Sequence, residues 1–207
     1  MTNEFKDSTV MFFVVIMIVG LISGCADSRI YTKQQYALEV TRGAGEQGER
    51  GVGIVRVRRF QISEGFSGIG LVYRASEVNY ESDYYNEFMV SPVSIITEQS
   101  RRWLDKSGVF AGVVDTGSAV KAGYVLEGNV VGLYGDYRDR TSPEAVLEIE
   151  FTLISAKAMA DPIVFHRTYA AARAVEPANA AALVKGFNGC LSEILDSFEA
   201  DLRKVVK

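Results

Sequence analysis

The chain has 207 residues, 48% of them hydrophobic and 23% charged, with a formal net charge of -4, values that fit one compact domain, or at most two small ones, with an ample core. Its single histidine, His166, and two cysteines, Cys25 and Cys190, exclude multi-His and multi-Cys metal sites, redox CxxC pairs and iron–sulfur ligation within one chain. The acidic balance gives no general attraction to nucleic acid, and the composition leans toward binding or scaffolding and away from catalysis.

Residues 11–22 read MFFVVIMIVGLI, an apolar run of about a dozen residues, shorter than the roughly 20 that cross a bilayer as a permanent helix. Such a run reads as the core of a secretory signal. It leads into Ile22-Ser23-Gly24-Cys25, which resembles the bacterial lipobox, where small residues precede a cysteine that is lipidated on its thiol and becomes the mature N-terminus. The segment before the run sets Glu4 and Asp7 against Lys6, whereas export signals favour a positive excess. Cleavage before Cys25 removes these two acids and one base and moves the net charge from -4 to -3. Two or three acyl chains hold a protein on a bilayer that one chain binds only marginally. Ala26 follows the cysteine, which under the sorting scheme of enteric-type lipoproteins directs the chain to the outer membrane, on its periplasmic face. The expected organisation is a lipoprotein signal at 1–24, a polar tether at 25–34 reaching about 30 Å if extended, and one folded domain at 35–207. Cys190, then without an intrachain partner, reads as a small buried apolar residue.

A strand is predicted at 36–40, followed by a glycine-rich break at 43–53. Within the break, Gly43-Ala44-Gly45-Glu46-Gln47-Gly48 formally matches the dinucleotide fingerprint. A working fingerprint opens a helix, and here the chain leads into another strand-like run, so a loop is expected and no cofactor. Strands follow at 54–60 and 70–74, separated by a turn-rich stretch at 63–68, and the arginines Arg56, Arg58 and Arg59 read as a solvated or ion-paired face. A strand at 84–90 closes this part of the sheet. Ser91 serves as N-cap and Pro92 as first-turn residue of a helix running to about Lys106, burying Ile95, Ile96, Trp103 and Leu104 and stopping at Gly108. Strands return at 109–114, 124–131, 145–155 and 163–172, the third with Leu147, Ile149, Phe151 and Leu153 on one face and Glu148, Glu150 and Thr152 on the other. The last element, at 178–206, is a long helix with Leu183, Val184, Phe187, Leu191, Ile194, Leu195, Phe198 and Leu202 at helical spacing. The expected fold is α+β, a largely antiparallel sheet of about seven or eight strands with two helices packed on one face.

Chemistry-bearing constellations are few. Glu148 and Glu150 stand roughly 7 Å apart on one strand face and read as its wet side. Asp136 and Asp139, among Tyr134, Tyr137, Arg138 and Arg140, read as hairpin-turn and ion-pair residues. His166 lies on an alternating strand with no G-x-S-x-G elbow to serve. The aromatic cluster Tyr80, Tyr84, Tyr85 and Phe88 offers rigid amphipathic area suited to protein or lipid contact, or to packing over the sheet.

Gly70-Leu71-Val72-Tyr73-Arg74, then Tyr84-Tyr85-Asn86-Glu87-Phe88-Met89-Val90-Ser91-Pro92, then Trp103-Leu104 with Ser107-Gly108-Val109-Phe110, resemble the signature of the ABC-type transport auxiliary lipoprotein family. Tyr124-Val125-Leu126-Glu127-Gly128 and the terminal helix with Leu191 are compatible with it. The resemblance spans nearly the whole mature chain. It implies an outer-membrane lipoprotein, without catalytic residues, that works with an inner-membrane ABC permease, its ATPase and a periplasmic protein of the mammalian-cell-entry type to move lipids between membranes. Ring-like self-association is a further option at family level. The reading is therefore a docking subunit held to the membrane by lipid on Cys25, with no metal or cofactor, and with Tyr84, Tyr85, Phe88 and Pro92 at the strand-to-helix junction as candidate partner contacts. Two other readings are a periplasmic hydrolase using His166 and an outer-membrane assembly factor.

Overall fold

The computed structural model describes residues 32–43, 50–158, 160 and 162–206. The signal at 1–24, Cys25, the tether up to residue 31 and the glycine-rich match beyond Gly43 lie outside the described residues. The folded unit contains, in order, β1 (Gln34–Tyr36), β2 (Ile54–Val57), β3 (Gln61–Ile62), a 3-10 turn at Glu64–Phe66, β4 (Gly70–Arg74), β5 (Tyr80–Phe88), α1 (Pro92–Ser107), β6 (Gly112–Val114), β7 (Tyr124–Asp136), β8 (Glu144–Ser155), β9 (Ile163–Ala174) and α2 (Ala180–Val205).

One sheet of nine strands is built on β7. On one edge β7 pairs antiparallel with β8, and β8 with β9. On its other edge residues 54–74 run alongside it as an interrupted parallel strand. β2 pairs with the start of β7, β3 with its middle and β4 with its end. The outer strands complete the sheet: β6 joins β2 in parallel, β5 joins β4 antiparallel, and β1 joins β5 in parallel. Five of the eight pairings are therefore parallel, and the sheet is mixed where a largely antiparallel one is expected. Alternation in a sequence reveals that a strand has two faces, but not which neighbour it meets or in which direction. The same limit trims single strands. The strand expected at 36–40 ends at Tyr36, the one at 54–60 breaks after Val57, and the one at 109–114 starts at Gly112.

The break after Val57 has a packing cause. Phe60 turns inward, its amide donating to Thr97 Oγ1 of α1 at 3.1 Å, and its ring lies over Gly128 of β7. A Cβ at Gly128 would stand 2.7 Å from that ring, so only glycine permits the approach. Phe60 meets Phe151 of β8 edge-on at 5.7 Å, and Phe151 stacks flat on Phe198 of α2 at 4.1 Å.

Both helices feed the same core. The whole predicted stripe of α2 is buried. From α1, Ile96, Trp103 and Leu104 are buried and Ile95 half-buried. Helix α1 stops as expected, with Gly108 in the left-handed region at φ +69°. Its start differs from expectation: the Ser91 side chain caps nothing, and the Ser91 carbonyl accepts from the amides of Ser94 and Ile95 at 3.0 and 3.2 Å. Pro92 sits in the first turn, where its missing donor costs nothing.

Candidate functional site at the bulge of β5

The hairpin of β4 and β5 is regular at its tip, where Arg74 faces Tyr80, Tyr73 faces Glu81 and Val72 faces Ser82. It then shifts register. Gly70 faces Glu87, so two steps along β4 match five along β5, and the surplus chain at 83–86 folds out of the ladder. Gly70 makes room for it: a Cβ there would stand 2.6 Å from the Asp83 carbonyl oxygen and 2.5 Å from Ser82 Oγ.

One carboxylate organises the bulge. Asp83 Oδ1 accepts from the amides of Tyr85 and Asn86 at 2.8 and 3.0 Å, and Oδ2 accepts from Asn86 Nδ2 at 2.8 Å and the Tyr73 hydroxyl at 3.1 Å. Burial works against ionising Asp83, but the donations from Asn86, Tyr85 and Tyr73 outweigh it and hold the carboxyl below its ordinary value. Burial in turn, with the Asp83 charge beside it, pushes the Tyr73 phenol up. The bulge is also tied to β1, because Tyr36 donates from its hydroxyl to Asn86 Oδ1 at 3.1 Å. Beside it, Glu87 accepts from Lys33 Nζ at 2.9 Å and Gln35 Nε2 at 3.1 Å, and the Lys33 bond above all holds its carboxyl below the usual range.

The result is two presented tyrosines. Tyr84 is 70% exposed and Tyr85 42%, their rings edge to face at 5.2 Å, and the Lys33 ammonium stands 4.6 Å from the Tyr84 ring centroid. Of the four expected contact residues, the structure presents these two and withdraws the others. Phe88, 2% exposed, resumes the inward face once the bulge has ended and packs near Phe187 of α2, ring centroids 6.2 Å apart. Pro92 is buried at the root of α1. Sequence reasoning missed Asp83, Lys33 and Gly70. The readable signal was Asp83-Tyr84-Tyr85-Asn86 inside a strand pattern, since a side-chain oxygen that bonds amides two and three residues on is turn chemistry.

The chain that enters through β1 is fastened across the helices. Leu38 is buried, the Glu39 amide donates to Asn188 Oδ1 of α2 at 3.0 Å, and Gln99 Nε2 of α1 donates to the Leu38 carbonyl at 3.1 Å. Arg42 then makes a bidentate pair with Glu199 of α2, both contacts at 2.8 Å. Glu199 also accepts from Trp103 Nε1 at 3.0 Å and from Arg203. Burial would raise its pKa, but Arg42, Arg203 and Trp103 lower it on balance.

The remaining candidates are dispersed. His166 stands exposed on β9, its Nδ1 3.0 Å from Thr152 Oγ1 across the ladder. Glu148 and Glu150 are half-buried on the open face of the sheet. Arg58 pairs with Glu127 at 2.5 Å, beside a shallow groove that Asn129 and Glu150 also line. Asp136, the last residue of β7, pairs with Arg138, and Asp139 accepts from Thr141 in the β7–β8 connection. Among the described residues no group of three His, Cys, Asp or Glu side chains is placed to hold a metal ion, and no described helix is long and apolar enough to cross a membrane.

No protein-family model matches the chain, and no curated protein matches it in sequence. Solved structures do. Protein XCC0632 from Xanthomonas campestris, of family DUF330, superposes with a TM-score of 0.73 at 16% identity over 83% of this chain and 96% of its own. A second, uncharacterised protein superposes with a TM-score of 0.62 at 17% identity over 85% of this chain and 99% of its own. At such identities the likeness is one of fold.

Proposed function

We propose that this protein is a lipid-anchored auxiliary subunit of an ABC-type intermembrane lipid transport system, acylated on Cys25, held at the outer membrane and joining a periplasmic mammalian-cell-entry-type component to it. One observation carries the reading: a lipobox-like cysteine lies eight residues before Lys33, where a domain begins whose entering segment, residues 33–42, is bonded to the body at Asn86, Asn188 and Glu199. An adaptor that bears load between an anchor and a partner needs such a fastening, because an unfastened arm would peel before it pulled. The family resemblance of the 70–74, 84–92 and 103–110 segments supplies the transport context. In this reading the subunit performs no chemistry, and ATP spent at the inner membrane drives transport.

Labelled palmitate incorporated by the full chain, and lost in Cys25→Ala, tests the anchor. Co-purification from membranes with a mammalian-cell-entry-type protein tests the role, and a chain that is acylated yet never associates with one overturns it. The native mass of the solubilised protein shows whether it forms rings. The hydrolase reading draws on the Thr152–His166 contact, and loss of function in a folded His166→Ala variant would favour it.

A further inference from the structure

The exposed end of the β5 bulge stands where the N-terminal arm joins the domain. Lys33 is the first residue of the folded unit and its ammonium lies over Tyr84. It lies eight steps along the chain from Cys25, and at full extension these span no more than about 28 Å. Whatever surface holds an acyl chain on Cys25 therefore lies within that reach of Lys33, whose ammonium stands over the Tyr84 ring.

The chemistry of the bulge suits that surface. Tyrosine and lysine are side chains of the membrane–water interface, the ring entering the acyl boundary while hydroxyl and ammonium meet the headgroups. Around Tyr84 the Lys33 ammonium is paired with Glu87, while Asp83 keeps its charge, held by four neutral donors. The patch carries no surplus positive charge and keeps the Asp83 carboxylate, which fits a zwitterionic headgroup layer better than a strongly anionic one. The tyrosines also need little ordering on contact, because the Asp83 network already holds the backbone that presents them.

We propose that the Tyr84–Tyr85 bulge with Lys33 seats the domain on the phospholipid headgroup layer of the membrane that carries the anchor. This rests on the lipid-anchor reading above. Seating fixes the orientation of the domain, turning the bulge toward lipid and leaving the strands beyond β7 toward the periplasm.

The test uses the acylated full chain in vesicles of zwitterionic phosphatidylcholine that carry bromine high on the acyl chains. Trp103, the sole tryptophan, is 2% exposed in the core and sets a constant background. In Tyr84→Trp, at a position 70% exposed and so without demands on the core, the added indole emission should shift to the blue and be lost to bromine. In Thr168→Trp, at an exposed position of β9, it should stay unquenched. An acylated, vesicle-bound Tyr84→Trp protein whose added emission escapes quenching overturns the seating and leaves the anchor standing. An added emission that responds only when a periplasmic protein partner is supplied overturns it in favour of protein docking. A chain that takes up no acyl group and leaves the vesicles overturns the anchor reading and the seating with it.

Discussion

On one side of β7, the strands β8 and β9 pair along nearly their whole lengths, each ladder broken by a single register shift, and α2 closes the inner face with an unbroken buried stripe. On the other side β7 is met by three short strands in succession, and β5 carries the bulge. The first half holds its shape by apolar packing over a regular surface. The second shares that core through Leu38, Val55, Phe60 and Leu71 and adds individual polar bonds where its ladders break, Asp83 under the bulge and Glu199 under the entering arm. Such bonds can place two tyrosines in water where a regular strand would alternate them in and out. The irregular half is thus where the molecule can present something, and the regular half supplies the stability that tolerates it.

The contrast can be broken most severely on the regular side. Phe151→Ala removes the ring that stacks on Phe198 and meets Phe60, and should cost about 4 kcal/mol, read as a lowered urea midpoint. On the irregular side the largest effect belongs to Glu199→Ala. Its side chain and that of Arg42 are only 9% and 13% exposed, and stranding the guanidinium should cost about 3 kcal/mol. Amide exchange at 38–42 should rise beyond what global destabilisation explains. Gly128→Ala forces the Phe60 ring to move and should cost about 2 kcal/mol, with loss of protection at β3 ahead of β8.

Asp83→Ala should have a small global effect, about 1 kcal/mol, because water reaches the freed amides of Tyr85 and Asn86. Fast exchange of those two amides in an otherwise protected sheet would confirm that the bulge is held from within. The Asp83 carboxyl is held below its ordinary value in the folded chain. Its stabilising contribution is therefore complete above the unfolded carboxylate pKa and fades as pH falls through the depressed folded value. The variant should lose that part of the acid dependence. The smallest effect is chemical: the Cys190 thiol, fully buried and donating to the Ala145 carbonyl at 3.3 Å, is pushed up to about 12 by burial. It should resist alkylation in the native state at about pH 8 and react only in urea.

The same division explains what could be read in advance. Strand β4, helix α1, strand β8 and the stripe of α2 are legible because each is a local pattern: Gly70 to Arg74 as an apolar run after a turn, Pro92 and Gly108 as punctuation, period two in β8 and helical period in α2. Phe88 misleads because counting along an apolar stretch assigns a face only if the ladder is unbroken, and the surplus of three steps taken up within 83–86 resets the count. Gly128 and Gly70 read as ordinary strand glycines, since the ring of Phe60 and the carbonyl of Asp83 that require them come from elsewhere in the chain. Lys33 carries no signal of its own. It matters because β1 lies parallel to β5 and brings it to Tyr84.

Composition and local pattern by themselves determined that this is an α+β domain with two amphipathic helices, a two-faced sheet, a buried Cys190 and a lipobox-like start. These follow from periodicity, capping residues and residue counts, which involve only near neighbours in the chain. Only the tertiary structure decided that most strand pairings are parallel, that Phe88 and Pro92 belong to the core while Tyr84 and Tyr85 face solvent, and that the entering arm is locked to Glu199. Those outcomes depend on contacts between residues tens to more than a hundred positions apart, such as Arg42 with Glu199 and Tyr36 with Asn86. Such contacts form only when packing of the whole domain repays the entropy of closing the loops between them.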